Sequence, residues 1–423
     1  MHTPSRRPAR FRTALAAGLG LLLAGIATAP AHADSVREDQ WHLDAMHAEE
    51  MWQTSTGKGV TVAVIDSGVD DSIADLRGQV LDGKDFSGLK GNENTDYDHH
   101  GTRMAALIAA TGARGGPNAS FGLAPGAKIL PIRMRYSQQD IGVGTTSAWF
   151  EALTKSIRFA ADSDAQIINL SLGTTSSTSQ EGIGAPELAE SVKYALGKGK
   201  LLFTSVGNSG SKGNPVQYPA ATPGVVGVAG VDRDAKPMKN SQWGSQVDLA
   251  APGEDIVGAC PAKTQICKGA GTSQASALAS ASAALIWSKH PDWTNNQVLR
   301  VLMQTASGND KGLSRDDVVG YGVVRPRIAL KKPGDPGPAD EYPIPGQPDE
   351  AGSATEAPSP KPSTSKDDDA KETDEEQRNQ QPAAASPSDD NSNAGLWLAL
   401  GIGAATLLGT AIAVPTVIRN RQG

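Results

Sequence analysis

Five runs of strand length, at residues 59–66, 128–135, 166–172, 201–206 and 225–231, are rich in Val, Ile and Leu. Continuous apolar runs, as opposed to alternating ones, are what strands covered on both faces require. Longer stretches with helical spacing lie between them at 148–163 and 187–197, and a run over 273–290 is so rich in Ala and Ser that its neighbours can approach closely. Strands alternating with helices predict an α/β fold, a mostly parallel sheet with helices on both faces. In such sheets ligands bind beyond the carboxyl ends of the strands, where Asp66 and Asn208 both stand. Ahead of the first strand, residues 41–52 carry a short amphipathic pattern.

The two ends of the chain read differently. Arg6, Arg7, Arg10 and Arg12 precede an apolar run at 14–27 and the small-x-small site Ala31-His32-Ala33, which predicts a secretory signal over 1–33 and a mature start near Asp34. The folded domain is expected over 34–330. Residues 331–393 then turn to Pro, Ser and charge, with 15 Asp and Glu against 6 Lys and Arg, too few apolar side chains to offset chain entropy. A disordered, acidic linker follows from that composition. Beyond it, 394–414 runs without a charge for long enough to cross a hydrocarbon core of about 30 Å at ~1.5 Å per residue. A transmembrane helix is expected over 394–418, and Arg419 and Arg421 place the tail, 419–423, on the cytoplasmic side. No Leu-Pro-x-Thr-Gly precedes it to suggest cell-wall attachment.

Net charge is −7, but the acidic excess sits in the linker, and no basic stripe suggests a nucleic-acid partner. With 47 Gly and 4% aromatic residues the domain suits a closely packed, loop-rich α/β protein. Export also bears on Cys260 and Cys267, the two cysteines of the chain, which in an oxidising compartment read as a disulfide closing a small loop. Such a bridge would contribute roughly 2–3 kcal/mol. Free buried thiols are the alternative, and a zinc site would need more ligands nearby.

Candidate chemistry lies in three segments: Val62-Ala63-Val64-Ile65-Asp66-Ser67-Gly68, His100-Gly101-Thr102 and Gly271-Thr272-Ser273. Taken singly, Asp66 reads as a strand-end carboxylate, His100 as a loop histidine and Ser273 as part of a helix cap. Together they are the set that hydroxyl-based nucleophilic catalysis needs: Ser273 to attack a carbonyl, His100 to take its proton, Asp66 to fix the imidazole tautomer. Of the adjacent histidines, the Gly-Thr that follows favours His100 over His99. Charge developing on the substrate oxygen requires a donor, and Asn208, in Ser205-Val206-Gly207-Asn208-Ser209-Gly210, is the candidate, with the Ser273 N–H as its partner. The order Asp, His, Ser differs from that of chymotrypsin and of the α/β-hydrolases.

These segments resemble those of the subtilisin (subtilase) family of serine proteases. The resemblance extends to Ile168-Asn169-Leu170-Ser171-Leu172-Gly173, similar to the family strand that pairs with bound peptide, which makes Ser171, Leu172 and Gly173 substrate-binding candidates. It includes Tyr218-Pro219-Ala220 and the turn at Ala251-Pro252-Gly253, and covers roughly 37–330. It implies a serine endopeptidase acting on protein or peptide substrate without a cofactor. Calcium sites occur in the family, but no ligands for one can be identified, and Asp70, Asp71, Asp96 and Asp98 read as solvated loop carboxylates. Two departures stand out. Gln274-Ala275-Ser276-Ala277 replaces the usual Met-Ala-Ala-Pro, and Arg103 replaces the histidine of Gly-Thr-His, so the cleft is expected to differ while the proton-transfer atoms stay.

A signal peptide, too little chain for a foldable pro-domain and a C-terminal anchor together resemble the mycosins, membrane-bound subtilases linked to type VII secretion in actinobacteria. That resemblance implies a cell-membrane protein with its catalytic domain outside and the secretion machinery as a partner. A protease-shaped scaffold that stabilises a secretion complex while hydrolysing little is the alternative. An esterase using the same triad is disfavoured by the peptide-pairing strand.

Overall fold

The computed structural model describes residues 35–135, 146–175, 185–308 and 312–346. The expected signal segment at 1–33, the expected transmembrane segment at 394–418, the expected tail at 419–423 and most of the expected linker lie outside the described residues.

Three short helices open the described chain: α1 (Val36–Asp39), α2 (Trp41–Ala45) and α3 (Ala48–Trp52). The amphipathic run at 41–52 is broken in two because His47 takes a left-handed conformation, φ 58°. This entry segment is tied to the domain by side chains that satisfy loop backbone: Trp41 Nε1 donates to Glu254 O at 3.1 Å and Trp52 Nε1 to Leu123 O at 2.9 Å. There follow β1 (Thr61–Asp66), β2 (Lys84–Asp85), α4 (His100–Ala109), β3 (Lys128–Arg133), α5 (Thr146–Asp162), β4 (Ile167–Leu170), α6 (Ala185–Gly197) and β5 (Leu201–Ser205). Then come β6 (Val226–Val231), β7 (Leu249–Pro252), β8 (Ile256–Ala259), β9 (Ile266–Gly269), α7 (Thr272–Lys289), α8 (Asn295–Thr305) and α9 (Pro326–Lys331).

Seven strands form one parallel sheet in the order β2-β3-β1-β4-β5-β6-β7, and β8 pairs with β9 in an antiparallel hairpin. All five sequence-predicted strands are present, and β4, β5 and β6 are buried at every position. Strand order reverses at β1, whose neighbours are β3 and β4. The carboxyl ends of β1 and β4 therefore flank the crevice where doubly wound sheets bind ligands. Helix α7 is buried from Thr272 to Trp287 and has no polar face, as a helix enclosed on all sides requires. Its alanines let β4, β5, β6 and β7 come close, and its serines spend their hydroxyls internally, as when Ser282 Oγ donates to Leu278 O at 2.7 Å.

The linker expectation needs a correction at its start. Residues 332–346 lie against α8 instead of leaving the domain. Arg300 donates to Pro336 O at 2.8 Å, Pro338 O at 2.9 Å and Glu341 O at 2.9 Å, and Gln297 donates to Gly337 O at 3.0 Å. Tyr342 and Ile344 are buried in the core. A proline-rich segment has few apolar side chains to bury, but its carbonyls remain acceptors, and α8 supplies the donors.

Asp248, just ahead of β7, is 2% exposed, and burial pushes its carboxyl up to about 7, opposed by the Gly227 N–H at 2.9 Å and by Arg315. The folded chain thus keeps a proton that the unfolded chain releases near 3.8. Folded protein binds more protons between these values, so this group's stabilisation is full below about 4 and is lost as pH rises to about 7. Asp248→Asn retains an acceptor for Gly227 and cannot ionise. It is expected to gain on wild type as pH rises from about 4 to about 7, by up to ~4 kcal/mol, read as diverging melting temperatures. Parallel pH profiles would contradict this.

Candidate active site

Asp66 is the last residue of β1 and is fully buried. Both of its carboxylate oxygens face His100 Nδ1, at 2.9 and 3.0 Å, and Oδ1 also accepts from the Ser67 N–H at 2.7 Å. His100, the first residue of α4, keeps 13% of its side chain exposed. The imidazole thus has one nitrogen committed to a buried carboxylate, which sets its tautomer.

The start of α4 has no Ser, Thr, Asp or Asn beside it. His99 precedes it at φ 60° and gives no side-chain cap. Asp96 does that work from three residues further back. Its Oδ2 accepts from the Thr102 N–H at 2.9 Å and from Thr102 Oγ1 at 2.6 Å, and its Oδ1 accepts from Ser67 Oγ at 2.7 Å. Ser67 Oγ in turn accepts from the Gly101 N–H at 2.9 Å. Asp96 is therefore not a solvated loop carboxylate: it is 9% exposed and braces His100 against the residue following Asp66. Asp70 and Asp71 do behave as surface turn residues, binding Ser72 and Asn94. Close approach of these loops also explains Gly68, at φ 118°, where a Cβ would stand 2.4 Å from Thr95 O.

Ser273 sits in the first turn of α7, 6% exposed, and its Oγ donates to Ser171 O at 3.3 Å. Ser171, immediately after β4, returns a bond from its Oγ to Ser273 O at 3.0 Å. Buried Asn169 supports both: its Nδ2 donates to Ser171 Oγ at 3.0 Å, and its Oδ1 accepts from Ser276 at 3.0 Å and Ser280 at 3.1 Å. Ser171 and Leu172 are buried and Gly173 is exposed, while Thr174 and Tyr218 form an antiparallel bridge alongside. Asn208 is exposed beyond β5. Its Oδ1 is held by the Thr272 N–H at 2.9 Å and Thr272 Oγ1 at 3.2 Å, which leaves the amide Nδ2 as the group's donor.

The departures at 103 and 274 fall into place locally. Arg103 lies over Gly269 so closely that a Cβ there would be 2.0 Å from its guanidinium, and Gln274 is buried beside Gly271. Cys260 and Cys267 form a disulfide, S–S 2.02 Å, across the β8–β9 hairpin that leads into Gly271. Among the described residues no group of three or more His, Cys, Asp or Glu could hold a metal ion, and no helix is long and apolar enough to cross a membrane.

A parallel sheet with Asp, His and Ser brought to one end of it defines a subtilisin-like serine endopeptidase. The subtilase family matches residues 57–322, and the chain belongs to that family. It is 32% identical over 343 residues to mycosin-1 of Mycobacterium tuberculosis, covering 71% of this chain and 74% of the relative. Subtilisin E of Bacillus subtilis is 35% identical over 259 residues, 60% of this chain and 62% of that protein. Among solved structures, the periplasmic assembly from the ESX-5 inner membrane complex is similar at a TM-score of 0.60 and 28% identity, covering 73% of this chain and 88% of that one.

Proposed function

We propose that Ser273 is the nucleophile, His100 its general base and Asp66 the group that orients and stabilises the imidazolium. Asn208 Nδ2 and the Ser273 N–H receive the oxyanion. The observation that carries this reading is the paired contact of His100 Nδ1 with a fully buried Asp66, next to a helix whose first residue, Thr272, is bonded to Asn208 and whose second is Ser273. Ser273 Oγ attacks the scissile carbonyl while its proton passes to His100 Nε2, which later gives it to the departing amine. Gly173 offers exposed backbone against which an extended peptide can lie, with the carbonyl to be cleaved falling between Ser273 and Asn208. No cofactor enters these steps. A purified, full-length protein should hydrolyse a mixed peptide library with a reproducible side-chain preference, and hydrolysis of simple esters with none of peptides would refute the endopeptidase reading.

The chain acts, in this proposal, at the cell membrane with its catalytic domain outside, in company with type VII secretion machinery. Support comes from the likeness to mycosin-1 and to a chain of an ESX-5 inner membrane assembly, and from the apolar run at 394–414. The full-length protein should resist carbonate extraction, and a chain ending after residue 346 should be soluble and active. Release of the full-length protein by carbonate would contradict the anchor.

A second reading, support of a secretion complex, is favoured by one surface feature. Val216, Trp243, Leu313 and Val318 are 41–54% exposed and lie on loops bound to one another. Asn214 bonds Trp243 in both directions, at 2.8 and 3.1 Å, and Gly244 N donates to Asp317 O at 2.7 Å. Clustered exposed apolar residues suit a protein partner. The two roles need not compete, since the cluster is built from loops other than those of the triad.

A further inference from the structure

Arg133 closes β3 and is 1% exposed, the largest of the fully buried side chains among the described residues. In register it stands between Asp66 of β1 and Asp85 of β2. Register neighbours in a parallel sheet send their side chains to the same face about 5 Å apart. An acid, a base and an acid therefore form a lateral row across three strands at their carboxyl ends. Only one guanidinium nitrogen makes hydrogen bonds: Nη1 donates to Asp85 Oδ2 at 3.0 Å and to Lys90 O and Asn92 O, both at 3.2 Å. Nε and Nη2 are buried without a hydrogen-bond partner, and the Tyr97 ring stands 5.2 Å from the guanidinium carbon.

A buried cation with two idle nitrogens, three N–H donors between them, is a poor device for stability, because its desolvation is only partly recovered. What it holds is more telling. Lys90 and Asn92 belong to the loop that continues through Asp96, the residue that caps α4 and braces Ser67. The neighbouring strand residue is Asp66 itself.

We propose that Arg133 is a positioning residue of the catalytic site, a buried cation that fixes the 90–96 loop and so the alignment of His100 with Asp66. It rests on the triad reading above. Since one nitrogen carrying charge and meeting three acceptors is all the site uses, an ammonium with three donors can replace it, and a neutral side chain cannot.

The test is peptide hydrolysis by full-length protein carrying Arg133→Met, Arg133→Lys or Asp85→Asn. Misplacing a general base without touching the substrate strand should lower kcat ~10–100-fold in Arg133→Met with KM within about twofold, and Arg133→Lys should keep kcat within about threefold of wild type. Asp85→Asn withdraws the ion-pair partner from an edge strand and leaves the arginine in place. It should give the same kcat-selective loss at roughly 3–10-fold, which keeps the test decisive should Arg133→Met not fold. Wild-type kcat in Asp85→Asn or in folded Arg133→Met, a loss confined to KM, or a lysine variant as impaired as the methionine one would overturn the proposal. Ser273→Ala run alongside separates the two claims: if that variant still hydrolyses peptide, the triad assignment fails whatever Arg133 does.

Discussion

Ser273→Ala is expected to remove turnover on the order of 10⁶-fold while the domain stays folded, because on the proposed mechanism an acyl-enzyme can no longer form and the remaining groups only polarise the bound carbonyl. The substitution deletes one hydroxyl whose hydrogen bond, to Ser171 O, is long at 3.3 Å, so little stability depends on it. Circular dichroism and melting should therefore match wild type within a degree or two, and peptide release by the variant should approach the rate in buffer. Hydrolysis at the wild-type rate would reassign the nucleophile. Neighbouring Ser276 and Ser280 are poor substitutes because Asn169 already holds both hydroxyls inside the helix packing.

Asn208→Ala is expected to lower kcat by roughly 10²–10³ with a small change in KM, since the bond it donates strengthens only once charge has moved onto the carbonyl oxygen. The structure adds a companion expectation. Asn208 Oδ1 is the acceptor for both Thr272 N and Thr272 Oγ1, so removing the amide also frees the first turn of α7. Asn208→Asp keeps an acceptor for Thr272 and loses the donor. It should show a kcat loss at least as large as Asn208→Ala, because a carboxylate beside an oxyanion repels it. A kcat near wild type in Asn208→Asp would make Asn208 a structural cap of α7 and nothing more.

Much of this was legible in the sequence, and the reason is the sheet. Strands covered on both faces must be apolar throughout, so β1, β3, β4, β5 and β6 announce themselves. Strand β7 does not: Leu249-Ala250-Ala251-Pro252 has no β-branched residue and ends in proline, and its place is fixed by register with β6. Helix α8 was not read from the sequence at all, although the reciprocal cap of Thr294 and Gln297 that the structure shows is a pattern a sequence can display. Asp66, His100 and Ser273, the proposed triad, can be singled out in the sequence because each sits in a short local motif. Asp96, Asn169 and Arg133 cannot, because what each does depends on which distant segments become neighbours: Asp96 meets Ser67 across 29 residues and Asn169 meets Ser276 across 107. The acidic tail start at 332–346 misled for a similar reason. Its composition is that of a linker, and what holds it in place is the donors on α8 together with two buried side chains, Tyr342 and Ile344.

The central claim is that Ser273 is activated by His100 and Asp66, and covalent labelling reads that activation without any knowledge of the natural substrate. Folded, full-length protein would be treated with a fluorophosphonate probe and the modified peptide located by mass spectrometry, with Ser273→Ala and His100→Ala in parallel. The expected result is a single adduct on Ser273 in the wild type, none in Ser273→Ala and labelling slowed by several orders of magnitude in His100→Ala. An adduct on another residue, or a folded protein that reacts equally fast with and without His100, would contradict it.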